Sequence, residues 1–394
     1  MRALGLVLVV ALGLPACGMV YQERPTSFAD DRIQRGKDDL SRGDRAAALA
    51  HYEAAAARGD PFGAYKAAQL HAGGPRADRD EERAVELLRG AVAKRSDVRP
   101  EAQVLLARLI ADDTPREALG LFRAADAAGA DVPPGEMARL LIERGFEAEA
   151  EPWLAAGRAE DDLVALRLSL ARALDAGATR DAERHAEHLA RVYRDLVERE
   201  GKTWAAWELA RLHDEGGALP RDLDAAIRWY TVAAAAGEVR AIRRLTRGFL
   251  QGYDGFPVDA AAGRRWGERG VEVGDVASTA YLGRALLTGR PLAREAARGE
   301  TLLESAAAAG HSAAMTDLGR AYLAGEVLDG DVERGLGLLE AAAAADNASA
   351  LTALGWAYWN GDAVARDPDR ARRLMRQAQG LGHPSAGKFF ELFG

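Results

Sequence analysis

The sequence predicts an all-α protein, a right-handed superhelical solenoid of about ten stacked helix–turn–helix repeats. Three observations lead there: a motif returning about every 36 residues, two columns of glycine at the turns, and a uniform composition rich in Ala, Leu and Arg. Those residues lose little side-chain freedom on a helix. Aromatic residues make up only 6% of the chain, which leaves little for a β-sheet. A chain of 394 residues could hold two or three globular domains, but the even composition argues for one architecture throughout.

The repeat is clearest in the C-terminal half. Leu282-Gly283, Leu318-Gly319 and Leu354-Gly355 are 36 residues apart, and each is followed six residues after its glycine by another: Gly289, Gly325 and Gly361. Gly252 and Gly216 extend this column backwards, so these five are the candidate structural glycines of the repeat. A second column runs Gly201, Gly237, Gly274, Gly310, Asp346 and Gly382. A period near 36 with two helical segments per unit marks stacked helix pairs, none of which can bury its apolar face alone.

One unit, Ser312 to Asn347, shows the physics. Met315, Leu318 and Tyr322 fall on one helix face, and Gly319 lets a neighbouring helix approach. Gly325 is placed to end the helix in the left-handed conformation that a residue with Cβ resists. After Asp329-Gly330-Asp331, a second helix turns Leu336, Leu339 and Ala343 inward. Elsewhere Asp60-Pro61, Thr114-Pro115 and Asp367-Pro368 pair a capping residue with proline at the first helical position. Thr114 and Glu117 have the spacing of a capping box. Towards the N-terminus the timing is less regular: junctions fall at Gly59, near Ser96 and at Gly129, Pro133-Pro134 interrupts, a short unit ends near Gly157, and a long one reaches Gly201 through Leu163, Leu166, Leu170 and Leu174.

The N-terminus carries a second signal. After Arg2, the apolar run Ala3 to Leu14 is too short for a membrane span but suits the apolar region of a secretory signal. It ends in Leu14-Pro15-Ala16-Cys17, which resembles the bacterial lipobox. That resemblance implies cleavage before Cys17 and lipid attachment to its thiol. Cys17 is the only cysteine, so no internal disulfide forms and lipidation accounts for the thiol. A plain signal peptide with an incidental Cys, or a buried helix, is the alternative. Gly18, where Asp would resemble an inner-membrane retention signal, favours the outer membrane. The expected organisation is a signal peptide at 1–16, a lipidated tether at 17–30, irregular tetratricopeptide-like repeats at 31–200 and regular repeats at 201–394.

The pattern Ala350, Leu354, Gly355, Tyr358, Gly361, Asp367, Ala371 and Leu374 resembles the Sel1-like repeat, with coverage from about residue 204 and weaker tetratricopeptide-like matches from about residue 33. Together with the lipobox and the segment Leu40, Arg42, Gly43, Asp44, Ala48 and Tyr52, the chain resembles the AlgK-type outer-membrane lipoproteins of alginate secretion. This resemblance implies a periplasmic scaffold, lipid-anchored to the outer membrane, that localises or stabilises the alginate export porin and contacts other proteins of an exopolysaccharide complex. Direct binding of a polysaccharide such as alginate, or of peptidoglycan, is the competing expectation.

No enzyme is expected. Gly310-His311-Ser312-Ala313-Ala314 is similar to a nucleophile elbow but lacks the last glycine and sits at a repeat junction. Gly335-Leu336-Gly337 lacks the third glycine of a dinucleotide loop and suits helix packing instead. His185 and His188 share a helix face without matching ligands, so solvated histidines are expected and no metal or cofactor. Asp329-Gly330-Asp331 is too short for a calcium loop. The net charge of −8, with both signs interspersed, excludes a nucleic-acid stripe. Arg243, Arg244, Arg264, Arg265, Arg372, Arg373 and Arg376 are candidates for binding a polyanion such as alginate, against the bland reading of solvated helix faces. Trp229 and Trp266 are expected in the core, as are most of Trp204, Trp207, Trp356 and Trp359, which would otherwise form exposed platforms.

Overall fold

The computed structural model describes residues 31–73, 79–361 and 364–393. Among these residues there are 21 α-helices and no strand. Cys17, the apolar N-terminal run and the tether lie outside the described residues. The chain divides into two compact units between Ala159 and Glu160. In the first, four helix pairs follow in order: α1 (Asp31–Ser41) with α2 (Arg45–Ala56), α3 (Pro61–Ala72) with α4 (Glu81–Val92), α5 (Arg99–Ile110) with α6 (Pro115–Ala127), and α7 (Pro134–Glu143) with α8 (Glu147–Ala159).

The second unit holds six pairs and a last helix. They are α9 (Leu163–Asp175) with α10 (Thr179–Glu198), α11 (Trp204–Glu215) with α12 (Leu223–Ala235), α13 (Val239–Gln251) with α14 (Ala260–Glu272), α15 (Val276–Thr288) with α16 (Ala296–Ala308), α17 (Ser312–Ala324) with α18 (Val332–Ala344), and α19 (Ala348–Asn360) with α20 (Pro368–Gly380), followed by α21 (Pro384–Phe393). The first helix of each pair is called A and the second B. From α12 to α20 every helix is 13 residues long. Successive A helices α13, α15, α17 and α19 also touch one another directly.

The turns follow from local chemistry. In the second unit, B helices start at Asp222, Asp259, Asp331 and Asp367, whose carboxylates accept the backbone N–H three residues on. The A helices start at Glu238, Asp275, His311 and Asn347, at the register of the period; Asp275, His311 and Asn347 likewise accept the N–H three residues on, and Glu238 accepts that of Arg240, two residues on. The A helices α13, α15, α17 and α19 end on Gly252, Gly289, Gly325 and Gly361 in the left-handed conformation, whereas Gly216 after α11 takes φ 70° and ψ −147°. At the B-to-A turns Gly201, Gly237, Gly274, Gly310 and Gly382 all have positive φ, and Asp346 stands in the same column at φ 54°. Asp tolerates this conformation better than other residues with a Cβ.

The core forms between pairs as well as within them. Leu303 and Ala306 of α16 join Ala314, Leu318 and Tyr322 of α17 in one buried cluster, and Leu339 and Ala342 of α18 join Ala350, Leu354 and Tyr358 of α19 in the next. Within a pair the helices approach closely through small residues. A Cβ on Gly299 would sit 2.5 Å from the Leu287 backbone nitrogen, and one on Gly335 would sit 2.9 Å from the Gly319 carbonyl oxygen. The Gly335-Leu336-Gly337 fragment therefore lies within α18, where Gly335 makes the close approach to α17, and Asp329-Gly330-Asp331 is the turn before α18, with Asp331 as its cap.

Ion pairs repeat with the same period. Glu268 of α14 pairs with Arg298 of α16, Glu304 with Arg334 of α18, and Glu340 with Arg370 of α20. In the first unit Arg89–Glu117 and Arg123–Glu149 bridge consecutive B helices in the same way, and Arg108–Glu136 bridges two A helices. Each exposed pair contributes at most about 1 kcal/mol. Their effect is on register.

Two expectations differ. The spacing of Thr114 and Glu117 predicts a capping box, but the Thr114 hydroxyl donates back to the Ile110 carbonyl and Glu117 turns to Arg89, so the stronger charge pair wins. A short unit is expected to end near Gly157, and α8 ends at Ala159, but the turn is made by Asp161 with φ 58° while Gly157 is buried inside the helix. A helical glycine at a close contact and a turn glycine look alike in sequence.

Gly335→Ala is expected to destabilise by about 1–3 kcal/mol, because the new Cβ meets backbone that cannot move aside. Gly337→Ala, two residues along the same helix with nothing within 4 Å of its Cβ, is expected to stabilise by about 0.5–1 kcal/mol through helix propensity. Urea unfolding of the two variants checks the contrast, and equal effects would mean that the α17–α18 approach is looser than described.

Candidate interaction surface

The A-helix side of the second unit carries a column of arginine with the repeat period. Arg211, Arg247, Arg284 and Arg320 fall on α11, α13, α15 and α17, each one residue past a small or short residue of the core. The column lies outside the candidates drawn from the sequence, although Arg284 and Arg320 directly follow Leu-Gly positions that define the period. Arg211 pairs with Glu215 at 2.7 Å, and Arg247 lies 3.3 Å from the centre of the Tyr253 ring. Arg284 approaches Asp317 only to 3.7 Å, and Arg320 reaches the Ser349 carbonyl at 3.4 Å. In α19 Trp356 takes the place and packs edge-on against Phe389.

The arginines singled out from the sequence are not gathered into one groove. Arg243 is bound to buried Asp275, Arg264 to Glu295 at 2.7 Å, and Arg265 lies 5.3 Å from the Trp266 ring. Arg372 pairs with Asp369 at 3.5 Å and lies over Trp359. Arg373 and Arg376 are exposed on α20 and have no ion-pair partner among the described residues.

Arg244 belongs to the most buried charge network of the unit. Asp214, only 7% exposed at the end of α11, accepts from Arg244 of α13, from Arg221 at 2.8 Å, and from the Tyr230 hydroxyl of α12 at 3.1 Å. Arg244 also reaches Asp254 at 2.7 Å and lies over Phe256. Burial pushes the Asp214 carboxyl up, but hydrogen bonds from Arg221 and Arg244 outweigh it and hold the group below the usual carboxylate range. Burial, joined by the Asp214 charge, pushes the Tyr230 phenol up. The network ties α11, α12 and α13 together. It is structural.

The remaining candidates resolve similarly. Trp266 is buried, Trp229 and Trp207 pack partly buried against the core, and Trp356 and Trp359 join Phe389 and Phe393 in an aromatic cluster. Trp204 alone among them is exposed, with its edge towards Tyr193 at 6.3 Å. His185 is buried, contrary to the expectation of a solvated side chain, because α10 turns that face to the core, and His188 contacts Asp161 at 2.6 Å. His311 caps α17 through Nδ1, and burial lowers its pKa, which keeps that nitrogen an acceptor. Among the described residues no group of three or more His, Cys, Asp or Glu could hold a metal ion, and no helix is long and apolar enough to cross a membrane.

The Sel1 repeat family model matches residues 31–60, 61–94, 205–238, 276–311, 312–347 and 348–383, just over half of the chain. Every match spans one A–B helix pair. The chain is a Sel1-repeat protein. In α13–α14, a pair the family model leaves unmatched, Thr246 stands where α15, α17 and α19 place glycine after the core leucine. Among solved structures, this Sel1-repeat protein is similar to a Sel1 repeat protein from Oxalobacter formigenes, at 20% identity over 94% of this chain and 97% of that one, with a TM-score of 0.49. It is also similar to c5321, a protective antigen of uropathogenic Escherichia coli strains displaying an SLR fold, at 20% identity over 91% and 85%, with a TM-score of 0.44. No curated protein matches the sequence. Sel1 arrays typically serve as non-catalytic scaffolds for protein–protein interaction.

Asp214→Ala, which leaves Arg244 with Asp254 as its one carboxylate partner and the buried Tyr230 hydroxyl without its acceptor, is expected to cost about 1–3 kcal/mol at pH 7. Because the folded pKa of Asp214 lies below its unfolded value near 3.9, this stabilisation is complete above about pH 4 and is lost as the pH falls further. Denaturant titrations of wild type and variant across that range should therefore converge in acid. A gap that stays constant down to pH 2 would show that the carboxylate charge is not what holds the network.

Proposed function

We propose that this Sel1-repeat protein is a periplasmic scaffold, anchored in the outer membrane through lipidated Cys17, which gathers proteins of an alginate-type exopolysaccharide secretion complex and helps localise or stabilise the export porin. The observation that carries this reading is the juxtaposition, in one chain, of a Sel1 array with the lipobox-like Leu14-Pro15-Ala16-Cys17. Further support comes from the likeness to AlgK, the outer-membrane lipoprotein of alginate secretion, in the segment Leu40 to Tyr52 and in the irregular middle of the chain. The mechanism is geometric. Stacked pairs present many side chains at fixed intervals, so a partner is held by distributed contacts and not by one deep pocket. Lipid at Cys17 would hold that surface close to the membrane.

Membrane fractionation of Cys17→Ala is expected to move the protein from the outer membrane to the soluble periplasm, and deletion of the gene is expected to lower the level of a porin that co-purifies with the wild type. Retention of Cys17→Ala in the outer membrane would remove the lipid anchor from the proposal. Binding of the purified protein to alginate or peptidoglycan with no protein partner recovered would replace scaffolding with direct polymer binding.

A further inference from the structure

One groove of the second unit gathers arginines with little or no carboxylate partner. It has a volume of about 510 Å³ and is lined by Gln251, Arg284, Thr288, Arg290, Arg294 and Val327. Three of its six lining residues are arginine. Arg284, 54% exposed, has only the 3.7 Å approach to Asp317, while the side chains of Arg290 and Arg294 are exposed and have no hydrogen-bond or ion-pair partner among the described residues. Asp317 compensates weakly, because burial pushes its carboxyl up against the opposing pull of Arg284 and Arg320.

The repeat supplies an internal control. Arg221, Arg294 and Arg366 each stand five residues after a helix-ending glycine, with their Cβ 3.0–3.3 Å from where a Cβ on Gly216, Gly289 or Gly361 would lie. In two of the three the guanidinium folds back onto the carbonyl oxygen seven residues earlier: Arg221 Nε donates to Asp214 at 2.7 Å, and Arg366 Nε donates to Trp359 at 3.0 Å. The corresponding acceptor for Arg294 is Leu287, and no such bond forms among the described residues. Arg294 lines the groove instead. The carbonyl end of α15 favours positive charge nearby, so these arginines are held in place while their forked donors stay open.

We propose that this groove is a docking site for an acidic segment of a partner protein, whose Asp or Glu carboxylates complete the pairs that Arg284, Arg290 and Arg294 lack. The proposal rests on the scaffold reading and names the chemistry of its partner. Guanidinium forks match carboxylates two bonds at a time. The lining comes from three successive repeats, Gln251 from α13, Arg284 and Thr288 from α15, Arg290 and Arg294 from the turn after it, and Val327 from the turn after α17, so an extended chain can run across it. A sugar ring offers an apolar C–H face that aromatic side chains cover, and no aromatic residue lines this groove. That favours peptide over polysaccharide.

The test is fluorescence anisotropy of the full chain with a labelled Glu- and Asp-rich decapeptide at low salt, against a Gln- and Asn-rich control. Binding of the acidic peptide alone is expected, weakening as salt screens the pairs. The double variant Arg290→Gln/Arg294→Gln should bind about tenfold more weakly or worse, one charge-assisted contact being worth roughly that factor. Arg373→Gln/Arg376→Gln removes equal charge from another exposed face and should bind as wild type does. Circular dichroism melts establish that both variants are folded. Equal weakening by the two double variants, or no binding by wild type, would overturn the site. If a mannuronate oligosaccharide binds in an Arg290- and Arg294-dependent way and the acidic peptide does not, the partner class is wrong. Membrane localisation and porin co-purification are read independently, so failure here leaves the scaffold proposal standing.

Discussion

A helix pair of this sequence cannot cover its own apolar stripe, and almost every other feature follows from that constraint. Leu303 and Ala306 need Leu318 and Tyr322 from the next pair, and Leu339 needs Leu354 in turn. The interface between pairs is thus the unit of stability, and the period of the sequence is the period of that interface. Alanine is abundant because the helices must come close, and glycine appears inside helices where even a methyl group would strike backbone, as at Gly299 and Gly335.

Once packing is set by small residues, charge is left to fix the register. The pairs Glu268–Arg298, Glu304–Arg334 and Glu340–Arg370 recur with the repeat, joining each B helix to the next. None is worth much energetically. Their consequence is that arginines at these repeat positions are already answered by carboxylates of the neighbouring pair. Against that background the unanswered arginines of the groove after α15 carry information, since an exposed guanidinium beside a carboxylate is ordinary and three that share one weak carboxylate are not.

The charges inside the second unit serve another end. Asp214 and Asp275 are buried, and each is surrounded by donors that keep it ionised. Asp275 accepts from the Ser278 backbone and hydroxyl as well as from Arg243, so it caps α15 and fastens it to α13 at once. Arg243 and Arg244, adjacent in sequence and alike in composition, are thereby committed to two different internal carboxylates. A run of arginine in a repeat protein is consequently poor evidence for a ligand until its partners are known.

The sequence by itself determined the all-helical class, the 36-residue period, the Asp60 and Asp367 caps and much of the core, because these depend on local backbone preference and on which side of a helix is apolar. It also contained the Arg211, Arg247, Arg284 and Arg320 column, legible once the period is used as a ruler. Only the tertiary structure decided that Gly157 sits in a helix while Asp161 turns the chain, that Thr114 and Glu117 part company, and that His185 is buried. It alone separated Arg294 from Arg221 and Arg366, which occupy the same column. The physical reason is clearest at Glu117, whose partner Arg89 lies 28 residues away across the helix interface: a local pattern holds no record of what a side chain meets there.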